Sequence, residues 1–127
     1  EDKPTIQGVT AGPVPFVKSI TMTKKTSGTS VMLNVLPAGR ISIMLTQIDV
    51  SSFSTSSNAH IQPFFVADDD TKHTMRAAIE NKEVINLDLL MPLYDDISTK
   101  NAIKNIEFKV IGTGTVTAEF TCYGYVY

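Results

Sequence analysis

The chain has 127 residues and a mass of 13.9 kDa, one domain's worth of polypeptide, able to bury roughly two-thirds of its accessible surface on folding. With 43% hydrophobic and 19% charged residues, it can offset chain entropy, which excludes disorder. Eleven basic against thirteen acidic residues leave a net charge of −2, without the basic excess that a phosphate-neutralising nucleic-acid binder needs.

No apolar run is long enough to insert across a bilayer as a helix. A single cysteine excludes an internal disulfide and a multi-cysteine metal site. The chain begins at Glu1 rather than Met, which suggests a start inside a longer precursor.

In chain order, residues 1–17 contain Pro4, Pro13, Pro15, Gly8 and Gly12. Prolines so placed prevent a helix and interrupt a central strand. They predict an extended N-terminal arm over 1–17, ahead of one domain over 18–127. The arm either lies along its own domain or reaches a neighbouring subunit.

Short β runs broken by turn chemistry follow. Residues 18–24 alternate, with Ile20 and Met22 on one side, and Ser27-Gly28 turns the chain into a strand over 30–36. Pro37-Ala38-Gly39 leads to a third strand over 40–49, where Ile41, Ile43 and Leu45 share one face and Ser42, Met44 and Thr46 the other. The Ser-rich stretch 51–58 reads as a surface loop around Phe53. A fourth strand covers 60–67, Asp68-Asp69-Asp70 turns it into a fifth over 74–80, and Asn81-Lys82 leads to a sixth over 83–90.

Across 91–102, Pro92 argues against strand, and 95–102 suits a short helical turn. Residues 104–111 alternate cleanly, with Ile106, Phe108 and Val110 inward and Glu107 and Lys109 outward. Gly112-Thr113-Gly114 has the residues of a hairpin turn. The last strand, 115–127, places Val116, Ala118, Phe120, Cys122 and Val126 on one side. Thr115, Thr117, Glu119, Thr121, Tyr123, Tyr125 and Tyr127 occupy the other. No 3.6-residue period separates these runs, so the expected class is all-β: an eight-stranded antiparallel β-sandwich or jelly roll.

Four segments carry a wider likeness: LPAGRISIMLTQIDVSSFS, AHIQPFFVADDD, VINLDLLMPLYDD and NIEFKVIGTGTVTAEFTCYGY. Their strand rhythm, over residues 29–127, resembles jelly-roll β-sandwich modules of the carbohydrate-binding type and similar sandwiches of tailed-phage virion proteins. That resemblance implies that the last two strands pair antiparallel across the Gly-rich turn. It also implies a non-enzymatic structural or interaction module found on a virion or outside the cell. One form is a phage capsid, decoration or tail-appendage protein that forms a homo-oligomer or binds other virion subunits. The alternative is a carbohydrate-binding module or host-surface adhesin domain that takes a glycan. There is no tryptophan to stack on sugar rings, although tyrosine and phenylalanine also present flat apolar faces.

The catalytic inventory is thin. His60 and His73 are the only histidines, and no Gly-x-Ser-x-Gly, P-loop or His-Glu-x-x-His occurs. No enzyme and no catalytic residue are expected. Cys122 shares the parity of Phe120 and should behave as a small buried hydrophobe.

Asp68, Asp69 and Asp70 are the one metal candidate, since calcium takes hard oxygen ligands. They lack EF-hand spacing, and strands send consecutive side chains to opposite faces, so the competing reading is a solvated hairpin tip. No other cofactor is expected. Asp95-Asp96 reads as a helix cap, and Arg40 and Arg76, the only arginines, carry no signal singly.

Tyr123, Tyr125 and Tyr127 are the strongest contact candidates. Period-two spacing lines their rings along one face for about 14 Å. Such a platform is covered by the chain's own arm, buried in a subunit contact, or used to stack a ligand. Phe64 and Phe65 point to opposite faces, so one needs cover outside the main core.

Overall fold

The computed structural model describes residues 14–34, 43–67, 69–87 and 103–126. The first thirteen residues of the expected arm, Arg40, Asp68, Asp95, Asp96 and Tyr127 lie outside the described residues, as do 35–39 and the whole of 88–102. The strands are β1 (Val14–Thr26), β2 (Ser30–Asn34), β3 (Ile43–Ser57), β4 (His60–Ala67), β5 (Lys72–Thr74), β6 (Glu83–Asn86), β7 (Ile103–Ile111) and β8 (Gly114–Val126).

They form two four-stranded antiparallel sheets, β1-β8-β3-β6 and β2-β7-β4-β5. The pairings β1–β8, β2–β7, β3–β6 and β4–β5 nest inside one another, like one long ribbon doubled back on itself. Pairs β3–β8 and β4–β7 then close the folded ribbon into two layers.

The layers pack face to face, as in a β-sandwich, because every strand but the short, exposed β5 turns apolar side chains inward. On β8, Val116, Ala118, Phe120, Cys122 and Val126 are buried; on β7, Ile106, Phe108 and Val110 are buried. The rings of Phe108 and Phe120, one from each sheet, stack with centroids 4.2 Å apart at an interplanar angle of 6°. Phe65 also enters the core, whereas its neighbour Phe64 is half-buried on the outer face.

One end of the sandwich is tied by three sheet-crossing corners. Ser27 N donates to Gly114 O at 3.0 Å, Gly28 N to Val110 O at 2.8 Å, and Asn58 N to Thr113 O at 3.0 Å. Gly112 and Gly114 adopt φ of 90° and 110°, so the expected positive-φ turn is there.

It is not a hairpin, however. The strands on either side belong to different sheets, β7 pairing with β2 and β4 while β8 pairs with β1 and β3. Alternation sets which side chains face inward, but not which sheet a strand joins. Among the described strands only β4–β5 pairs neighbours in sequence, and Asp69 and Asp70 occupy its turn.

Three boundaries also differ from expectation. The Ser-rich 51–57 stretch is strand rather than loop, because it pairs with β8 from Ser52↔Glu119 to Ser57↔Gly114. β5 occupies Lys72–Thr74 rather than 74–80, where Ile79 makes only an isolated bridge to Ile61. β1 begins at Val14, so the last four residues of the 1–17 stretch are paired strand, Pro15 opposite Tyr125 and Val17 opposite Tyr123. Edge position makes this possible, since proline lacks an N–H yet is tolerated there.

Candidate contact surface

The outer face of the first sheet (β1-β8-β3-β6) is built from the odd positions of β8 and the residues in register with them. Tyr123 lies between Val17 and Gln47, and Tyr125 between Pro15 and Met44. Thr121 lies between Ser19 and Asp49, and beyond these Asn86 pairs with Gln47 and Val84 with Asp49. Tyr125 is 39% exposed and Val17 63%, whereas Tyr123 and Met44 are half-buried. Tyr123 and Tyr125 thus share a face opposite the core, as period two requires; Tyr127 is outside the described residues.

Away from the tyrosines this face turns polar. Ser19 and Thr121 share a hydrogen bond of 2.9 Å, and Ser56 and Thr115 one of 3.1 Å. Ser51 donates to the Glu119 carboxylate at 3.3 Å. These cross-strand bonds brace a hydroxyl-rich surface next to the apolar end.

The second sheet (β2-β7-β4-β5) presents a different outer face. Glu107 and Val66 take outward positions in register with Phe64 and Asn105, yet both are buried, and Val66 stands outside the main core cluster. The expected outward direction of Glu107 holds, but its side chain is only 5% exposed and lies 2.8 Å from the Lys72 ammonium. Burial alone would raise its carboxyl. Hydrogen bonds from Lys72 and Ser30, with the charges of Lys72 and Lys109, more than offset that and hold it below the usual carboxylate range.

A depressed carboxyl contributes stability above its unfolded-state value and loses it as pH falls through the folded one. Lys72 is half-exposed, so solvent screens the pair and the contribution is about 1 kcal/mol. The Glu107→Gln variant should therefore show a shallower fall in urea midpoint than the parent between about pH 6 and pH 3. Parallel acid limbs would show that the ion pair adds nothing.

The adjacent Asp69 and Asp70 excepted, the remaining candidates among the described residues stand apart from one another. Asp69 accepts a bond from the Thr71 backbone at 3.0 Å, and bonds from the Thr71 side chain and backbone lower its pKa. Asp70 pairs with Lys104 at 3.0 Å, and Asp68 is outside the described residues. Among the described residues no three His, Cys, Asp or Glu side chains gather where they could hold a metal.

His60 Nδ1 lies 3.2 Å from Asn58 O, beside an open depression of about 360 Å³ lined by Asn58, Ala59, His60 and Glu80. His73 is exposed on β5. Burial pushes the Cys122 thiol up to about 12, leaving it protonated at neutral pH. Arg76 lies 3.5 Å from Glu83.

Pro15, Val17, Gln47, Asp49, Val84 and Asn86 join the tyrosines on the outer face without having been named as contact candidates in the sequence, as does Met44, whose outward direction alone was expected. Alternation along β1 and the start of β3 gives the outward direction of Pro15, Val17 and Met44; Gln47 and Asp49 follow a bulge that leaves no sequence mark, and which strands flank the tyrosines depends on the strand order. No protein-family model matches the chain, and no curated protein sequence is detectably similar to it.

Proposed function

We propose that this chain is a non-catalytic structural module, a jelly roll belonging to a virion as a phage capsid, decoration or tail-appendage component. It assembles with copies of itself, or with other virion subunits, through the outer face of the first sheet. Nested pairing and the order of the two sheets support the jelly-roll assignment, because two Greek keys wrapped face to face produce that architecture, used by capsid proteins and lectins.

The observation that carries the assembly reading is the apolar end of the outer face, where exposed Tyr125, Val17 and Pro15 surround half-buried Tyr123. Tyrosine-rich apolar clusters are typical of interface cores. The expected location is the virion or the extracellular space, and the reading requires neither nucleic acid nor a metal.

Tyr125→Ala tests it. The ring projects away from the core, so thermal stability should hardly change. Self-association, followed by light scattering after size exclusion, should weaken by about 1–3 kcal/mol. Loss of folding in that variant would place the ring in the core and end the proposal.

A second reading is favoured by Gln47, Asp49 and Asn86, which share rows with Tyr123 and Thr121. An aromatic face beside amide and carboxylate groups is the chemistry of a shallow glycan site. A monomer that binds glycans, and loses them on Tyr123→Ala, would replace assembly with adhesion.

A further inference from the structure

Among the described strands, the first sheet ends in two free edges, β1 on one side and β6 on the other. The two edges differ in charge. β1 carries Lys18, Lys24 and Lys25 and no acid. β6 carries Glu83 and no base, the Glu83 carboxylate lying 3.5 Å from Arg76 in the segment ahead of the strand.

The edges match in apolar character. Val17 on β1 is 63% exposed and Val84 on β6 is 55% exposed, more than any other large hydrophobic among the described residues. Both stand on the outer face, Val17 in register with Tyr123, and Val84 with Asp49 and through it Thr121. Direction fits as well. Four alternating strands leave β6 running opposite to β1, so the β6 edge of one copy meets the β1 edge of the next antiparallel when both copies point the same way.

We propose that copies of this chain join head to tail, β6 of one beside β1 of the next, extending the first sheet from subunit to subunit. Open backbone N–H and C=O groups along the two edges pair across the joint. Val17 and Val84 become cross-strand neighbours, which in an antiparallel ladder sets Lys18 opposite Glu83. The ladder is short because β6 has four residues. It falls within Val14–Met22, where β1 keeps unbroken register with β8.

Beyond Met22, a bulge and two lysines guard the edge against unregulated pairing. A two-fold β1–β1 joint is disfavoured because it sets lysines against lysines. Contacts of the head-to-tail kind close into a ring or continue as a filament. The inference rests on the self-assembly reading, and it sets Tyr123 and Tyr125 of successive copies along one surface.

The test uses Val17→Cys and Val84→Cys made in separate chains, with the buried Cys122 too shielded to compete. Mixed under mild oxidation, the two variants should form a disulfide-linked dimer that neither forms alone. Val17→Cys crosslinking to itself as readily would substitute a two-fold joint and overturn the proposal. Absence of a crosslink while the parent protein still oligomerises would overturn it too, leaving assembly through the tyrosine face standing. Absence of a crosslink with a monomeric parent would overturn both. In parallel, Lys18→Glu should weaken association about tenfold, and adding Glu83→Lys to the same chain should restore it.

Discussion

Phe108→Ala is expected to lower the stability of the folded chain by about 3–5 kcal/mol. The ring comes from β7 and is fully buried against Phe120 of β8, the two stacking at 4.2 Å across the space between the sheets. Truncation removes the transfer energy of the ring and leaves a void. Flanking Ile106, Val110, Ala118 and Cys122 are held by ladders on both sides and collapse poorly into it. The stacking contribution of about 0.5–1.5 kcal/mol is lost as well.

A domain of this size has only about 5–15 kcal/mol in hand, so the variant should sit near its unfolding threshold. Phe108→Leu fills most of the space and should cost much less. Urea midpoints for the pair measure the difference. Equal midpoints for Ala and Leu would mean that the two sheets do not pack through these rings.

Gly124→Val is the second large effect, expected at about 3 kcal/mol or more as an overpacked site. Gly124 occupies an inward position of β8 between Cys122 and Val126, where β3 and β1 approach from either side. A Cβ here would collide with the Met44 carbonyl oxygen and stand 3.0 Å from both Leu45 Cα and Phe16 Cε2. Backbone cannot yield as a flexible side chain can, so β3 must separate from β8, and the Phe16 ring loses its seat.

Because Phe16 belongs to β1, the damage should spread to that edge. Amide exchange along Val14–Ile20 should accelerate more than exchange in β7. Gly124→Ala should act in the same direction with a smaller loss. A stable Gly124→Ala protein with unchanged β1 exchange would contradict the packing of Phe16 on this glycine.

Both sites lie where the sequence was easiest to read. The run from Val116 to Val126 alternates without interruption, so period two alone assigns its buried and outward sets, the tyrosines included. β3 was harder. Register shifts between Leu45 and Gln47 and between Val50 and Ser52 reset the parity twice. Ile48 and Val50 therefore face inward although Leu45 alone would predict odd positions throughout, and the half-buried Phe53 returns to the odd set after the second shift. Neither bulge contains Gly or Pro, so nothing in the local chemistry announces it.

The serines of 51–57 imitate a loop for a related reason. β6 pairs only with Gln47–Val50, so the far half of β3 has no neighbour on that side among the described strands and can be polar while remaining strand. Glu107 and Val66 illustrate another limit: alternation says which way a side chain points, not whether that face is covered. The candidate contact surface was legible in part for the same reason. Tyr123 and Tyr125 follow from one strand's pattern, whereas Val17, Asp49 and Val84 join them only once the strand order is known.

Sedimentation equilibrium over a wide dilution series of the unmodified chain tests the claim that it is a self-assembling module. The expected result is a mass that climbs from the 13.9 kDa of one chain through integral multiples as concentration rises. A single species of one-chain mass at every concentration would contradict the account.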